Sequence, residues 1–343
     1  MKVLVTGSEG YIGAVLVPVL EGRGHEVVGL DTGFYQDGML YDGSESRIKR
    51  IQKDIRLMTE EDVAGFDAIV HLAELSNDPL GQHAEENTYD INHQGSVRLA
   101  RLCKSAGVNR FVYTSSCSVY GIQIGDEIKT EESETYPQTA YAKCKVLVER
   151  DVSRMADDDF SPTFLRNATA YGPSPRMRFD IVLNNLSGLA WTTRQIRMTS
   201  DGTPWRPLVH VLDICDAIAC TLEAPRDIIH NQIFNVGDTQ ENYRIREVAQ
   251  IVSDTFPGCE LTFGQSDGDN RSYRVSFDKI NAQLPGFACR RNLELGANQL
   301  LEIFKQIDMS DETFGFRAYT RLKQLKYLIN EQRIDARFFW RTA

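Results

Sequence analysis

The chain has 343 residues, 42% of them hydrophobic and 25% charged, with a net charge of −10. This is a globular profile, long enough for one large domain or two ordinary ones. The acidic balance argues against a nucleic-acid surface, which is usually basic, and no apolar run reaches the ~18 residues of a membrane span.

The elements follow in chain order. KVLVTG (2–7) reads as a strand, and residues 11–22 as a helix. HEVVGLD (25–31) and FDAIVHLA (66–73) are further strands, the latter followed by a helix near 86–106. RFVYTSS (110–116) is a strand, 139–156 a helix, and PTFLRNATAYG (162–172) a strand running into a loop. Short apolar strands alternating with helices predict βαβ units, hence an α/β fold with a doubly wound parallel sheet of the Rossmann kind. Such sheets bind ligands at the carboxyl ends of their strands. IFNVG (233–237) fits one more strand, 243–256 an amphipathic helix and 264–274 a polar loop. Residues 311–341 read as helical and basic, with Arg317, Arg321, Lys323, Lys326, Arg333, Arg337 and Arg341. The expected division is a dinucleotide-binding domain over 1–175 plus about 207–237. About 176–206 and 238–343 form a smaller, interleaved substrate-binding domain.

The seven cysteines are odd in number and contain no Cys-x-x-Cys, so neither a disulfide framework nor a zinc site is suggested. The six histidines show no paired ligand spacing, and no metal is expected. The N-terminus lacks the shape of a signal peptide. A cytoplasmic location is the expectation.

GSEGYIG supplies Gly7, Gly10 and Gly13 directly after the first strand and at the opening of a helix. Glycines there allow a tight turn and close approach of a diphosphate, which then sits on the helix N-terminus. Tyr11 and Ile12 belong to the same loop. Asp31, at the end of the second strand, suits the adenosine ribose 2′-hydroxyl and repels a 2′-phosphate, so NAD is expected rather than NADP. Asp54 and Ile55 follow the third strand, near where an adenine would lie; a capping role is the other reading of Asp54. Tyr141 and Lys145, in YAKCK, are four apart and share one helix face. An ammonium beside a phenol stabilises the phenolate, and a tyrosine that normally titrates near ~10 must fall toward ~7 to act as a base.

TGSEGYIG, Asp31, KDIR (53–56), HLAE (71–74), SSCSVYG (115–121), YAKCK (141–145), LRNATAYGP (165–173) and WRPLVHVLDICDAI (205–218) fall in order along the chain. In these the sequence resembles the extended short-chain dehydrogenase/reductase family, in its nucleotide-sugar epimerase/dehydratase branch, over about residues 1–290. The resemblance implies NAD as cofactor and a nucleotide-sugar substrate, with no nucleic-acid or membrane partner. It places Ser116 on the sugar oxygen being oxidised, Tyr141 as the base and Lys145 on the nicotinamide ribose. Leu72 and Ala73 would line the diphosphate path. Asn167 and Thr169 would touch substrate, where the family often has asparagine at the place of Thr169. Arg206 and Arg274 would clamp the substrate diphosphate through their bidentate forks. Glu74 stands where a small residue is usual. A homodimer is implied, commonly through two helices per subunit, one of them carrying Tyr141.

Cys117 and Ser118 occupy the two positions where related 4,6-dehydratases often carry Asp-Glu, which disfavours elimination of water. Related GDP-mannose 3,5-epimerases use a cysteine in this segment to exchange a proton on carbon, one residue further along. Cys117 is therefore either a small lining or core residue or an acid/base whose thiol a nearby cation, Arg176 or Arg178, would tune. The function implied is an NAD-dependent epimerase passing through a 4-keto intermediate. A nucleotide-linked 4-ketosugar reductase, or an epimerase exchanging a proton through Cys117, is the alternative.

Overall fold

The structure is a computed structural model describing residues 1–43, 48–76, 84–122, 127–265 and 271–341. Seven parallel strands form its central sheet: β1 (Lys2–Thr6), β2 (Glu26–Asp31), β3 (Lys49–Gln52), β4 (Ala68–His71), β5 (Arg110–Ser116), β6 (Ser161–Asn167) and β7 (Gln232–Val236). Their order is β7-β6-β5-β4-β1-β2-β3. The chain thus leaves β1 in both directions, and the switch point falls between β1 and β4. Register brings the carboxyl ends level: Thr6 pairs with His71, and Ser116 with Asn167. Val3, Leu4, Val5, Ile69, Val70, Phe111 and Val112 are buried, as continuous apolar strands must be when helices cover both faces.

The covering helices include α1 (Gly13–Gly22), α2 (Ser96–Ser105), α3 (Ala140–Ser153), α4 (Val182–Thr193), α5 (Val211–Glu223), α6 (Ile245–Thr255), α7 (Leu293–Gln306) and α8 (Arg321–Asn330). The single helix expected near 86–106 is interrupted. A short turn at Glu85–Thr88 runs into a π-helical segment, Tyr89–Gly95, before α2. Beyond the sheet, Trp205–His210 pairs with Thr169–Tyr171 in parallel and with Asn242–Arg244 antiparallel. α4, α6 and α7 pack around a cluster in which Phe304 meets Phe179, Trp191 and Phe256 at ring separations of 6.0–6.3 Å. This cluster is continuous with the core between the sheet, α1 and α5.

The carboxyl-terminal stretch departs from expectation. It is not one long helix but Asp311–Gly315, a 3-10 turn at Arg317–Tyr319, α8, and a bridge between Ile334 and Trp340. Its end packs apart from the cluster between α4, α6 and α7. Leu325, Leu328, Ile334 and Phe338 are buried against Leu4, Val28, Phe34, Ile55 and Phe111, on the opposite face of the large sheet. The polar stretch expected over 264–274 falls partly outside the described residues, which omit 266–270. No helix among the described residues is long and apolar enough to cross a membrane, and no group of three metal-ligating side chains occurs among them.

Candidate active site

A cavity of about 600 Å³ runs along the carboxyl ends of the strands, from the loop after β1 to Arg206. The loop is built by its glycines. Gly7 has φ +75°, and a Cβ there would lie 2.8 Å from the backbone nitrogen of Ala73. A Cβ on Gly13 would lie 2.2 Å from the carbonyl oxygen of Gly7. Both distances are below any real contact, so the loop closes on itself and on β4 only with glycine at these places. Gly10, Tyr11, Ile12, Leu72 and Ala73 line the same end of the cavity. Asp31 lies there too, its carboxylate accepting the N–H groups of Glu9 (3.1 Å) and Gly33 (2.9 Å). Burial raises its pKa, and those two backbone bonds oppose the rise. Asp54 and Ile55 also reach the wall. Asp54 accepts the Arg56 N–H at 2.8 Å and pairs with the Arg56 guanidinium at 2.7 Å, so it caps the turn that follows β3.

The chemical end is organised by α3. Thr139 caps the helix, its hydroxyl accepting the N–H of Ala142 at 3.2 Å. Tyr141, Lys145 and Glu149 then recur every four residues along one stripe facing the sheet. Tyr141 and Lys145 line the cavity with Ser116, and the Lys145 ammonium lies 5.3 Å from the centre of the Tyr141 ring. Ser116 accepts the N–H of Ser118 at 3.2 Å. Lys145 donates to the carbonyl of Thr114 and pairs with Glu74 at 2.5 Å, their side chains 4% and 3% exposed. Tyr113 donates to the other oxygen of Glu74, also at 2.5 Å. Burial works against the Lys145 charge, but Glu74 and Tyr141 outweigh it and hold the ammonium above its ordinary range. One turn on, Glu149 takes Arg166 in a buried fork at 2.7 Å and the Ser115 hydroxyl at 2.5 Å.

The predicted substrate residues divide. Asn167, Thr169 and Arg206 line the cavity. Arg206 donates to the carbonyl of Trp205 at 2.8 Å and to that of Arg271. Arg274 is not on the cavity wall; its guanidinium stacks 5.4 Å over the Trp205 ring, as a short strand paired with Ile128–Lys129 carries it behind that wall. Cys117, open between packing and acid/base work, sits as a packing residue would. It opens the 3-10 turn after β5, is 1% exposed, and donates to the Arg166 carbonyl at 3.1 Å, behind the wall rather than on it. Burial pushes its thiol well up, and the cation facing it is Arg166. Arg176 instead donates to the carbonyl of Gln36 at 2.7 Å, and Arg178 lies on the cavity wall, bound to Asp180 at 2.8 Å. Among the wall residues with no such role in the sequence reading are Glu74, Arg178 and Arg321. Only Glu74 gave a local signal, a charge at the carboxyl end of a buried strand.

The residues fit a dinucleotide. The glycine cradle has no room for a Cβ, and Asp31 stands at the end of β2 on the same wall. The NAD dependent epimerase/dehydratase family model matches residues 3–237. The chain is 30% identical to the UDP-glucose 4-epimerase of Corynebacterium glutamicum over 268 residues, 73% of this chain and 79% of that protein. It is 26% identical to UDP-glucuronic acid decarboxylase 1 of Arabidopsis thaliana over 288 residues, 79% of this chain and 62% of that protein. Among solved structures it superposes on MoeE5 in complex with UDP-glucuronic acid and NAD with a TM-score of 0.77 and 26% identity, covering 89% of this chain and 99% of that one. Because the family model spans well over half of the chain, including the glycine loop, Tyr141 and Lys145, the protein belongs to the NAD-dependent epimerase/dehydratase family.

Proposed function

We propose that the protein is a nucleotide-sugar epimerase that works through a transient 4-keto intermediate. One observation carries the choice of reaction. Every described carboxylate on the cavity wall is already held: Glu74 by Lys145 and Tyr113, Asp180 by Arg178, Asp31 by two backbone amides, Asp54 by Arg56. The two positions after Ser116 carry no carboxyl at all. A dehydratase needs an acid and a base to remove water; this wall offers the equipment for oxidation and reduction without them.

In this reading Ser116 hydrogen-bonds the sugar hydroxyl and orients it toward Tyr141. Tyr141 removes the hydroxyl proton and later returns it. Lys145 keeps its charge through Glu74 and stabilises the phenolate. The NAD that the glycine loop, Asp31 and Lys145 would hold would supply reversible hydride chemistry, with no net consumption of cofactor. Arg206, with Thr169 and Asn167, holds the nucleotide diphosphate and the sugar, the guanidinium supplying a planar pair of donors. Cys117 contributes packing. A cytoplasmic homodimer completes the proposal, and light scattering on the purified protein checks its mass.

The test is incubation in D2O with a panel of nucleotide-hexoses and no added cofactor. A new isomer free of solvent deuterium is expected. Turnover only on addition of reduced cofactor would replace the epimerase with a ketosugar reductase. Deuterium on carbon would restore proton exchange.

A further inference from the structure

The segment 317–341 lies beyond the residues matched by the family model, 3–237, yet it backs the cofactor end of the cavity. Trp340 donates its indole N–H to the carbonyl of Thr32 at 2.6 Å, and Gln324 donates to the carbonyl of Phe34 at 2.8 Å. The Trp340 and Phe34 rings lie 5.6 Å apart. Arg56, next to Ile55, donates to the carbonyl of Arg337 at 2.9 Å and stacks 3.7 Å over Phe339. Asp90 ties the two arginines together, at 2.9 Å to Arg56 and 3.1 Å to Arg337. Thr32, Phe34 and Ile55 all face the cavity.

The same segment sends one charge inside. Arg321, the first residue of α8, is 4% exposed and lines the cavity. Its backbone N–H reaches Asp180 at 3.1 Å, and its guanidinium stacks 4.0 Å over the Tyr35 ring. That guanidinium makes no hydrogen bond to any described residue, and the like charge of Arg178 stands nearby on the same wall. Burial and Arg178 pull Arg321 down to about 10. Asp180 and Asp31 oppose that fall through their negative charge but accept no hydrogen bond from the guanidinium. A buried cation whose donors are unused is costly until an anion arrives, and its fork is the shape that phosphate oxygens accept.

We propose that the carboxyl-terminal segment completes the dinucleotide site, with Arg321 binding phosphate oxygens of the dinucleotide and Trp340, Gln324 and Arg337 strapping the wall at Thr32, Phe34 and Arg56. The proposal rests on the family's use of NAD and not on the epimerase reading, so binding alone tests it.

The full-length protein is stripped of cofactor and titrated calorimetrically with NAD+ and, separately, with a panel of nucleoside diphosphates, as wild type, Arg321→Met, Arg321→Lys and Trp340→Phe. Arg321→Met keeps the volume and removes the charge. It is expected to weaken NAD+ at least 10-fold, to leave nucleoside diphosphates within twofold, and to melt no lower than wild type without cofactor. Arg321→Lys retains most of the affinity, and Trp340→Phe speeds NAD+ release. NAD+ affinity within twofold in Arg321→Met overturns the proposal. A loss confined to the nucleoside diphosphates also overturns it, and gives Arg321 to the substrate. Should Arg321→Met not fold, unchanged NAD+ affinity and release in Trp340→Phe overturns it instead.

Discussion

Glu74 and Lys145 form a charge pair almost wholly removed from water, and its energetics are asymmetric. Removing one partner leaves an ion buried beside groups chosen to face its opposite, a loss of about 3–5 kcal/mol. Removing both leaves an apolar gap that neighbours can fill. Glu74→Leu and Lys145→Met should each lower the unfolding free energy measured in urea by that order, and the double substitution should recover most of it. Strictly additive losses would show that the pair is not an ion pair in solution. The two residues at the end of β5 give a second contrast. Ser116 lines the cavity and Cys117 does not. Ser116→Ala should lower kcat by about 100-fold, within the range for a positioned hydrogen-bond and proton-transfer partner. Cys117→Ala should leave kcat within about twofold and cost about 1–2 kcal/mol of stability, as deletion of a small buried group does. A large drop in kcat for Cys117→Ala, followed by isotope exchange in D2O, would return the thiol to the chemistry.

At the scale of elements, the loop after β1 and the helix α3 do different work. The glycine loop is made by exclusion: Gly13→Ala would drive a methyl to 2.2 Å from the Gly7 carbonyl, a backbone atom that cannot swing aside. The start of α1 would have to move, and with it the amides that face a diphosphate. NAD+ affinity should fall at least 10-fold in Gly13→Ala, read by calorimetry, while Gly22→Ala, with nothing within 4 Å of the added methyl, leaves it unchanged. α3 is positioned by two buried ion pairs on successive turns, Lys145 with Glu74 and Glu149 with Arg166. The loop and the Tyr141–Lys145 stripe were legible in the sequence because each is a local pattern of spacing. What anchors them was not. Glu74 follows β4 and Arg166 lies on β6, both outside the helix's own local pattern, and Arg321 reaches the cavity from a segment read only as helical and basic. The sequence left Cys117 open between packing and acid/base work because β5 ends at Ser116 and a 3-10 turn begins, where strand alternation does not say which way a side chain faces. The π-helical segment before α2 was hidden for a related reason: an inserted residue alters a 3.6-residue pattern too little to be seen over one turn.

The whole molecule carries an acid sensitivity built from two buried histidines. His71 has both ring nitrogens engaged, Nδ1 with Thr6 at 2.7 Å and Nε2 with Ser96 at 2.8 Å. Burial, with the Lys145 charge nearby, holds it down to about 3. His210 accepts the Leu212 N–H at Nδ1, 3.1 Å away, and turns Nε2 to Gln299 at 2.8 Å. It therefore caps α5 as a neutral ring, and a second proton would set Nδ1–H against Leu212 N–H. Burial lowers its pKa to about 4, against the pull of Gln299. Both folded values lie below the ordinary 6.5, so the unfolded chain binds protons first as pH falls. The stability these rings contribute is present above about pH 6.5 and is lost progressively toward about pH 4 for His210 and about pH 3 for His71. Glu241 works the other way: burial raises it to about 7, so its penalty fades as pH falls toward 4.5. That opposing group is common to wild type and variant and cancels in their difference. His210→Asn keeps an oxygen able to cap α5 and removes the titration. Between pH 7 and pH 5 the wild type should lose about 2 kcal/mol more than His210→Asn, from a ring whose pKa falls from 6.5 to about 4 on folding. Urea unfolding at the two pH values measures this directly. Parallel losses in the two proteins would mean that His210 takes up its proton in the folded state, which its contact with the Leu212 amide forbids.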